Sequence, residues 1–117
     1  MAQRPVPPAS KALTKAERRL FEASSAGDKG QVKAALRDGA SVHSSSADGY
    51  TALMFAAYEG HAEVVRLLAE LGASVVTPRN TGATPVCIAA QEGHAEVVRL
   101  LAELGADINT PSDEGIT

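Results

Sequence analysis

The chain has 117 residues, a formal net charge of −3 and a hydrophobic content of 44%, which are ordinary values for a soluble globular domain. The acidic balance argues against nucleic-acid binding, no apolar run is long enough to insert into a membrane, and the single cysteine excludes a disulfide framework. Aromatic residues make up 3% of the chain whereas 22 residues are alanine, so we expect closely packed helices. With the exclusions above, we expect a cytoplasmic protein, and a nuclear location stays open.

Residues 1–13 form a proline-rich basic arm that we expect to be disordered. Pro5, Pro7 and Pro8 favour an extended chain, and the first 19 residues carry five basic side chains against one acidic side chain. Two interpretations stay open, a docking or localisation tail and a solvated extension, of which the second is favoured. Thr14 and Glu17 have the spacing of a helix capping box, so order is expected to begin there.

A 33-residue repeat follows the arm. Glycines recur at 27, 60 and 93, at 39, 72 and 105, and at 49, 82 and 115. The 15 residues from Glu59 to Ala73 recur unchanged from Glu92 to Ala106. The period divides a domain at 14–117 into repeats at about 16–48, 49–81 and 82–114 and the truncated start of a fourth at 115–117. We therefore expect this chain to be the N-terminal part of a longer array.

Each unit has the pattern of two short helices joined by a turn. Thr51 and Thr84 stand where they can cap the first helix, and Gly60 and Gly93 can end it in a left-handed turn. In the second helix, the helical spacing of apolar residues predicts a buried face made of Val64, Leu67, Leu68 and Leu71, repeated at Val97, Leu100, Leu101 and Leu104. Since no unit can bury its apolar face alone, stability is expected to come from stacking.

These units resemble the ankyrin repeat, with its 33-residue period and T-P-L-H-x-A signature. The second unit reads GYTALMFAAYEGHAEVVRLLAELGASVV and the third GATPVCIAAQEGHAEVVRLLAELGADIN, whereas the first lacks the signature head and looks like a capping repeat. The resemblance implies an all-α ankyrin-repeat solenoid of helix–turn–helix units joined by β-hairpin-like loops. Met54 and Cys87 occupy the slot of the signature histidine, so we expect apolar packing to replace its hydrogen bonds.

The resemblance also implies a protein-binding concave face, formed by the hairpin tips and the first helices. The positions that match the variable slots of that face are Ser45, Ala47, Asp48, Tyr50, Tyr58, Glu59, Pro78, Asn80, Thr81, Ala83, Gln91 and Glu92. Tyrosine is enriched at interface hot spots, and the alternative that Tyr50 and Tyr58 only cover helix ends stays open. The acidic members Asp48, Glu59 and Glu92 favour a partner of basic character.

The sequence carries no enzyme or metal-binding motif. Cys87 is expected to be a buried thiol. His61 and His94 occupy equivalent positions of stacked units, so they are predicted to lie too far apart to share a metal and to have a structural role at the turn between helices. Asn109 has the setting that ankyrin proteins offer to an asparaginyl hydroxylase, although a hydrogen bond to the hairpin backbone is favoured.

The predicted function is therefore a non-catalytic, monomeric module that binds another protein without a cofactor or metal. Neither nucleic-acid binding nor membrane insertion is expected. The alternative is a structural spacer, or a regulatory or targeting segment of a larger protein whose active domain lies beyond this fragment.

Overall fold

Three helix pairs follow one another along the chain in a computed structural model that describes residues 14–46 and 49–106. The helices are α1 (Lys15–Ala26), α2 (Lys29–Arg37), α3 (Ala52–Glu59), α4 (Ala62–Glu70), α5 (Pro85–Gln91) and α6 (Ala95–Glu103). None of the helices in this part of the chain has the length and apolar character needed to cross a membrane. The predictions for the arm at 1–13, for Asn109 and for a fourth unit at 115–117 lie outside the described residues.

The six helices lie in two layers. α1, α3 and α5 contact one another in that order and are called the inner layer; α2, α4 and α6 do the same and are called the outer layer. Each first helix packs on the second helix of its own unit. Within the described ranges, β structure is limited to one isolated antiparallel bridge between Ser45 and Thr51. The predicted all-α architecture of stacked helix–turn–helix units is confirmed.

Short polar side chains fix where the first helices begin. Thr14 accepts a hydrogen bond from the Glu17 amide at 3.0 Å, and the Glu17 carboxylate accepts one from the Thr14 amide at 3.1 Å. The capping box predicted from the sequence is thus confirmed, and it satisfies two amides that the helix itself leaves without partners. At the starts of α3 and α5 the hydroxyls of Thr51 and Thr84 accept hydrogen bonds from the Met54 and Cys87 amides, and Pro85 lies in the first turn of α5.

The core runs through all three units. Phe21 and Phe55 join the first unit to the second, with ring centroids 5.2 Å apart. Ala56, Ala57 and Ala89 are fully buried, as expected where adjacent helices approach closely. Ala90 is exposed, because no described element packs on the far side of α5.

The predicted apolar face of α4 is only partly correct. Val64 and Leu68 are buried, but Leu71 is 49% exposed and Leu67 is half-buried, whereas Val65, outside the predicted set, is fully buried. Leu71 follows the last residue of α4, so the helical period no longer directs its side chain inward.

The same 15 residues are buried differently in the third unit. Val98, the counterpart of Val65, is half-buried, and Leu100, the counterpart of Leu67, is 4% exposed. α4 packs between α2 and α6, whereas α6 has only α4 beside it in the described part of its layer. Since the two segments are identical in sequence, the difference comes entirely from their neighbours.

A histidine of each later unit packs against a glycine of the preceding unit and hydrogen-bonds to the backbone of that unit. His61 Nε2 lies 2.9 Å from the Ser25 carbonyl oxygen, and His94 Nε2 lies 2.9 Å from that of Tyr58. Because a carbonyl oxygen can only accept, Nε2 is the donor in both bonds. A Cβ on Gly60 would lie 2.6 Å from His94 Nδ1, so the imidazole occupies space that only glycine leaves free. The predicted structural role of the two histidines is confirmed.

Comparing Gly60 with Gly93 tests the contact between Gly60 and the His94 imidazole, because Gly93 lacks such a contact within the described part of the chain. Their φ angles are 81° and 78°, but a Cβ on Gly93 would meet nothing within 4 Å among the described residues. We expect G93A to lower the free energy of unfolding by about 1–2 kcal/mol, the ordinary cost of a left-handed alanine. G60A should cost about 1 kcal/mol more, because the displaced imidazole also loses its bond to Tyr58. Urea denaturation followed by circular dichroism measures both values.

The control for this pair is H94A, which removes the imidazole. In the H94A background, G60A and G93A should lower the free energy of unfolding by the same amount within error. Equal costs in the wild-type background would show that the imidazole does not restrict Gly60.

Candidate protein-interaction face

Most of the predicted partner-binding residues lie on the two inter-unit turns and at the C-terminal ends of α3 and α5. We call this surface the hairpin-tip face and define it by the described, accessible members of the predicted set. Ser45, Tyr50, Tyr58, Glu59 and Thr81 are half-buried, while Pro78, Asn80, Gln91 and Glu92 are exposed. Ala47 and Asp48 lie outside the described residues.

Backbone hydrogen bonds give the two turns the same shape. The Ser46 amide donates to the Tyr50 carbonyl at 2.8 Å, and the Gly49 amide donates to the Ser46 carbonyl at 2.9 Å. In the next unit, the Arg79 backbone amide donates to the Ala83 carbonyl at 2.9 Å, and the Gly82 amide donates to the Arg79 carbonyl at 2.8 Å. The hairpin-like loops implied by the family resemblance are therefore present at both inter-unit turns.

Ala83 does not contribute to the accessible surface. Its side chain is 2% exposed and packs in a small core cluster with Met54, Cys87 and Ile88. It occupies the position that Tyr50 occupies one unit earlier, where the larger ring cannot be enclosed completely. The prediction that Ala83 contacts a partner is therefore corrected, because a buried side chain is not available for one.

The small core cluster forms a floor beneath both tyrosines. Met54 is fully buried and Cys87 is 5% exposed, and Tyr50 and Tyr58 pack against them. The Thr84 hydroxyl donates to Cys87 Sγ at 3.3 Å. The expectation of apolar packing in the histidine slot, and of a buried thiol at Cys87, is confirmed.

Tyr50 is held between two structural elements. Its ring centroid lies 5.6 Å from that of Phe55 on α3, and the Arg79 guanidinium carbon lies 4.5 Å from the same centroid. Arg79 Nη1 also donates to Thr81 Oγ1 at 2.9 Å, which keeps the guanidinium in place. The arrangement joins the second turn to the first and leaves part of the Tyr50 ring accessible.

Arg79 was not among the predicted site residues. It stands between Pro78 and Asn80, both in the predicted set, and the 33-residue period aligns it with Ser46. The sequence does show a basic residue next to the variable positions, but it does not show which aromatic ring the guanidinium would contact.

Glu59 and Glu92 occupy equivalent positions at the ends of α3 and α5. Glu59 is half-buried and Glu92 is exposed, so the hairpin-tip face carries two carboxylates, and Arg79 at the second turn adds a guanidinium next to Tyr50. Among residues 14–46 and 49–106, no three histidine, cysteine or acidic side chains are grouped so that they could hold a metal ion.

A family model described as ankyrin repeats, in three copies, matches residues 20–112. The match starts inside α1 and includes α2 to α6, so it covers the first unit as well as the two that carry the recognisable signature. A search of curated proteins finds no significant match to the chain.

The contact between Arg79 and Tyr50 is expected to stabilise the stacked turns. A cation–π pair at a partly exposed site contributes about 0.5–1 kcal/mol. R79A should lower the free energy of unfolding by about that amount, plus the smaller loss of the Thr81 hydrogen bond. In a Y50L background the cost of R79A should fall by the cation–π contribution, and the double-mutant cycle measured by urea denaturation gives this coupling.

R66A serves as the control for R79A, because Arg66 is an exposed arginine on α4. It should change stability by less than about 0.5 kcal/mol in either background. A coupling energy of zero between positions 50 and 79 would contradict the stabilising role of the pair.

Proposed function

The chain belongs to the ankyrin repeat family, and we propose that it binds another protein through the hairpin-tip face. Ankyrin repeats are generally protein–protein interaction modules rather than enzymes. The proposal adds the surface that makes the contact and the character of the partner.

Pre-ordered Tyr50 is the observation that supports this surface most strongly. Phe55 and Arg79 hold the ring from two sides, yet part of it stays accessible. A side chain that is already ordered loses little conformational entropy on binding, and a tyrosine offers a large contact area together with a hydroxyl. Tyr58 extends the same surface over the common floor of Met54 and Cys87.

The charges at the edge of the face favour a basic partner. Glu59 and Glu92 place carboxylates at the ends of successive inner-layer helices. Opposite charge on a partner speeds the formation of the encounter complex and selects against acidic competitors. Exposed Pro78 and Asn80 at the second turn lie within the same proposed interface.

The test begins with the full chain as bait. Crosslinking followed by quantitative mass spectrometry identifies the partners that bind saturably. Replacing the tyrosines would mix binding with stability, because Tyr50 packs against core residues. Charge reversal at an exposed residue avoids this problem. A complete lack of saturable partners would instead favour a structural spacer.

E92K is the decisive variant. Glu92 is the exposed C-cap of α5, where a lysine is tolerated by the helix dipole. We expect association with the captured partner to slow by about tenfold at low salt, and by less at high salt. Surface plasmon resonance measures the rate constants.

E103K is the matched control. Glu103 is also exposed and also ends a helix, but it lies on α6 in the outer layer. The variant makes the same change in net charge, so it should leave association with the partner nearly unchanged. Equal slowing by E92K and E103K would refute the hairpin-tip face as the binding surface.

A further inference from the structure

A second surface lies at the ends of α2 and α4, and none of the residues of the hairpin-tip face lines it. Two large apolar side chains in the described residues are strongly exposed, Leu71 at 49% and Val76 at 53%. Leu71 lines an open groove of about 490 Å³ together with Lys33, Leu36, Arg37, Ala40 and Val42. We call it the α2–α4 groove. Of the groove's apolar residues, Leu71 is exposed and Leu36 and Val42 are half-buried, and accessible apolar surface of this kind is typical of interaction sites.

The floor and the rim of the groove have different character. Leu36, Val42 and Leu71 supply aliphatic surface, while Lys33 and Arg37 stand one helical turn apart on α2. Both basic residues are exposed, and neither forms an ion pair with a described residue. The groove therefore offers two uncompensated positive charges beside an apolar floor.

Acidic side chains on the adjoining elements do not neutralise this charge. Asp38 pairs with Arg19 at 2.7 Å, Glu63 pairs with Lys29 at 3.5 Å, and Glu70 is not among the lining residues. The C-terminal end of α2 contributes a partial negative charge of about 0.5. Two full positive charges outweigh it, so the local potential is positive.

The repeat provides an internal comparison for this groove. Residues 33 positions later are Arg66, Ala69, Glu70, Ala73 and Val75, so the floor loses Leu36 and the rim charge of Arg37 is reversed. The groove that does lie between α4 and α6 is lined by three glutamates, two arginines, an alanine and a leucine. An apolar floor with a basic rim thus belongs to the junction of the first two units.

We propose that the α2–α4 groove binds a short segment of another protein that presents aliphatic side chains next to carboxylates. Aliphatic groups fill the space between Leu36, Val42 and Leu71, and the carboxylates face Lys33 and Arg37. The chain's own arm at residues 1–13 is a poor occupant, since its charged side chains are the basic Arg4 and Lys11 and it contains no acidic residue. A phosphate group alone would leave the apolar floor uncovered.

The test selects a displayed library of random peptides on the full chain, with counter-selection on K33E/R37E. Enriched peptides should combine at least one acidic residue with neighbouring aliphatic residues. Their affinity for K33E/R37E, measured by fluorescence anisotropy, should be at least about tenfold weaker, and R37A should give a smaller loss. Methyl NMR signals of Leu36, Val42 and Leu71 should shift on titration. Unchanged circular dichroism of each variant excludes unfolding as the cause.

The second unit supplies both a control and a gain-of-function variant. R66E changes the residue equivalent to Lys33 and should leave peptide affinity unaltered. A69L/E70R installs the two distinguishing residues of the first unit and should raise the stoichiometry from one bound peptide to two.

Three results would overturn the proposal. The first is that no peptide is enriched. The second is that the enriched peptides bind K33E/R37E as tightly as the wild-type chain. The third is that the wild-type chain forms a dimer that K33E/R37E does not form. The last result would assign the groove to a second copy of the chain.

Discussion

The seating of each unit on the preceding one is the constraint from which the rest of the structure follows. A helix pair of this size cannot enclose a core, so its apolar residues are buried only when the next pair covers them. Phe21 and Phe55 supply apolar contact across the first junction, and the bond from His61 to the Ser25 carbonyl gives that contact a direction. The imidazole fits because the neighbouring glycine, in a left-handed conformation, has no side chain. A rotation of one unit on the other would separate the donor from its carbonyl, so the polar bond fixes the geometry that the apolar contact stabilises.

Much of this arrangement could be predicted from the sequence, because caps, glycine turns and the 33-residue period are local signals. Thr14, Thr51 and Thr84 begin their helices as expected, and Gly60 ends one. Burial in and just after α4 was harder to predict, since Leu71 at its C-terminal end is exposed while Val65 within it is fully buried. The identical residues of α6 are buried differently, which shows that a helical period alone cannot assign the inner face of a stacked unit. The contact between Arg79 and Tyr50 was missed for the same reason, since it exists only after two turns are stacked.

Stacking also determines what the hairpin-tip face can present. Tyr50 contacts Phe55 and Arg79, so a residue proposed to meet a partner is at the same time part of the junction between units. One unit later, the equivalent Ala83 is enclosed. The accessible aromatic surface is therefore concentrated at the second unit. This coupling has a practical consequence, because truncating Tyr50 disturbs the support of the surface as well as the surface, whereas exposed Glu92 can be changed without touching the core.

Where the units differ indicates which parts of their surface are free to specialise. The segment that carries His61 and its equivalent His94 is unchanged between the second and third units, and both imidazoles perform the same stacking contact. Differences also occur at accessible positions: Tyr58 and Gln91 are equivalent, and so are Arg37 and Glu70. A change of charge at an exposed helix end costs little stability, since surface substitutions usually alter it by less than about 0.5 kcal/mol. The repeat thus separates two functions within one short unit. The buried positions stay apolar so that the array can stack, although Phe55 is replaced by Ile88 and Met54 by Cys87, whereas exposed positions that differ can give each junction its own surface.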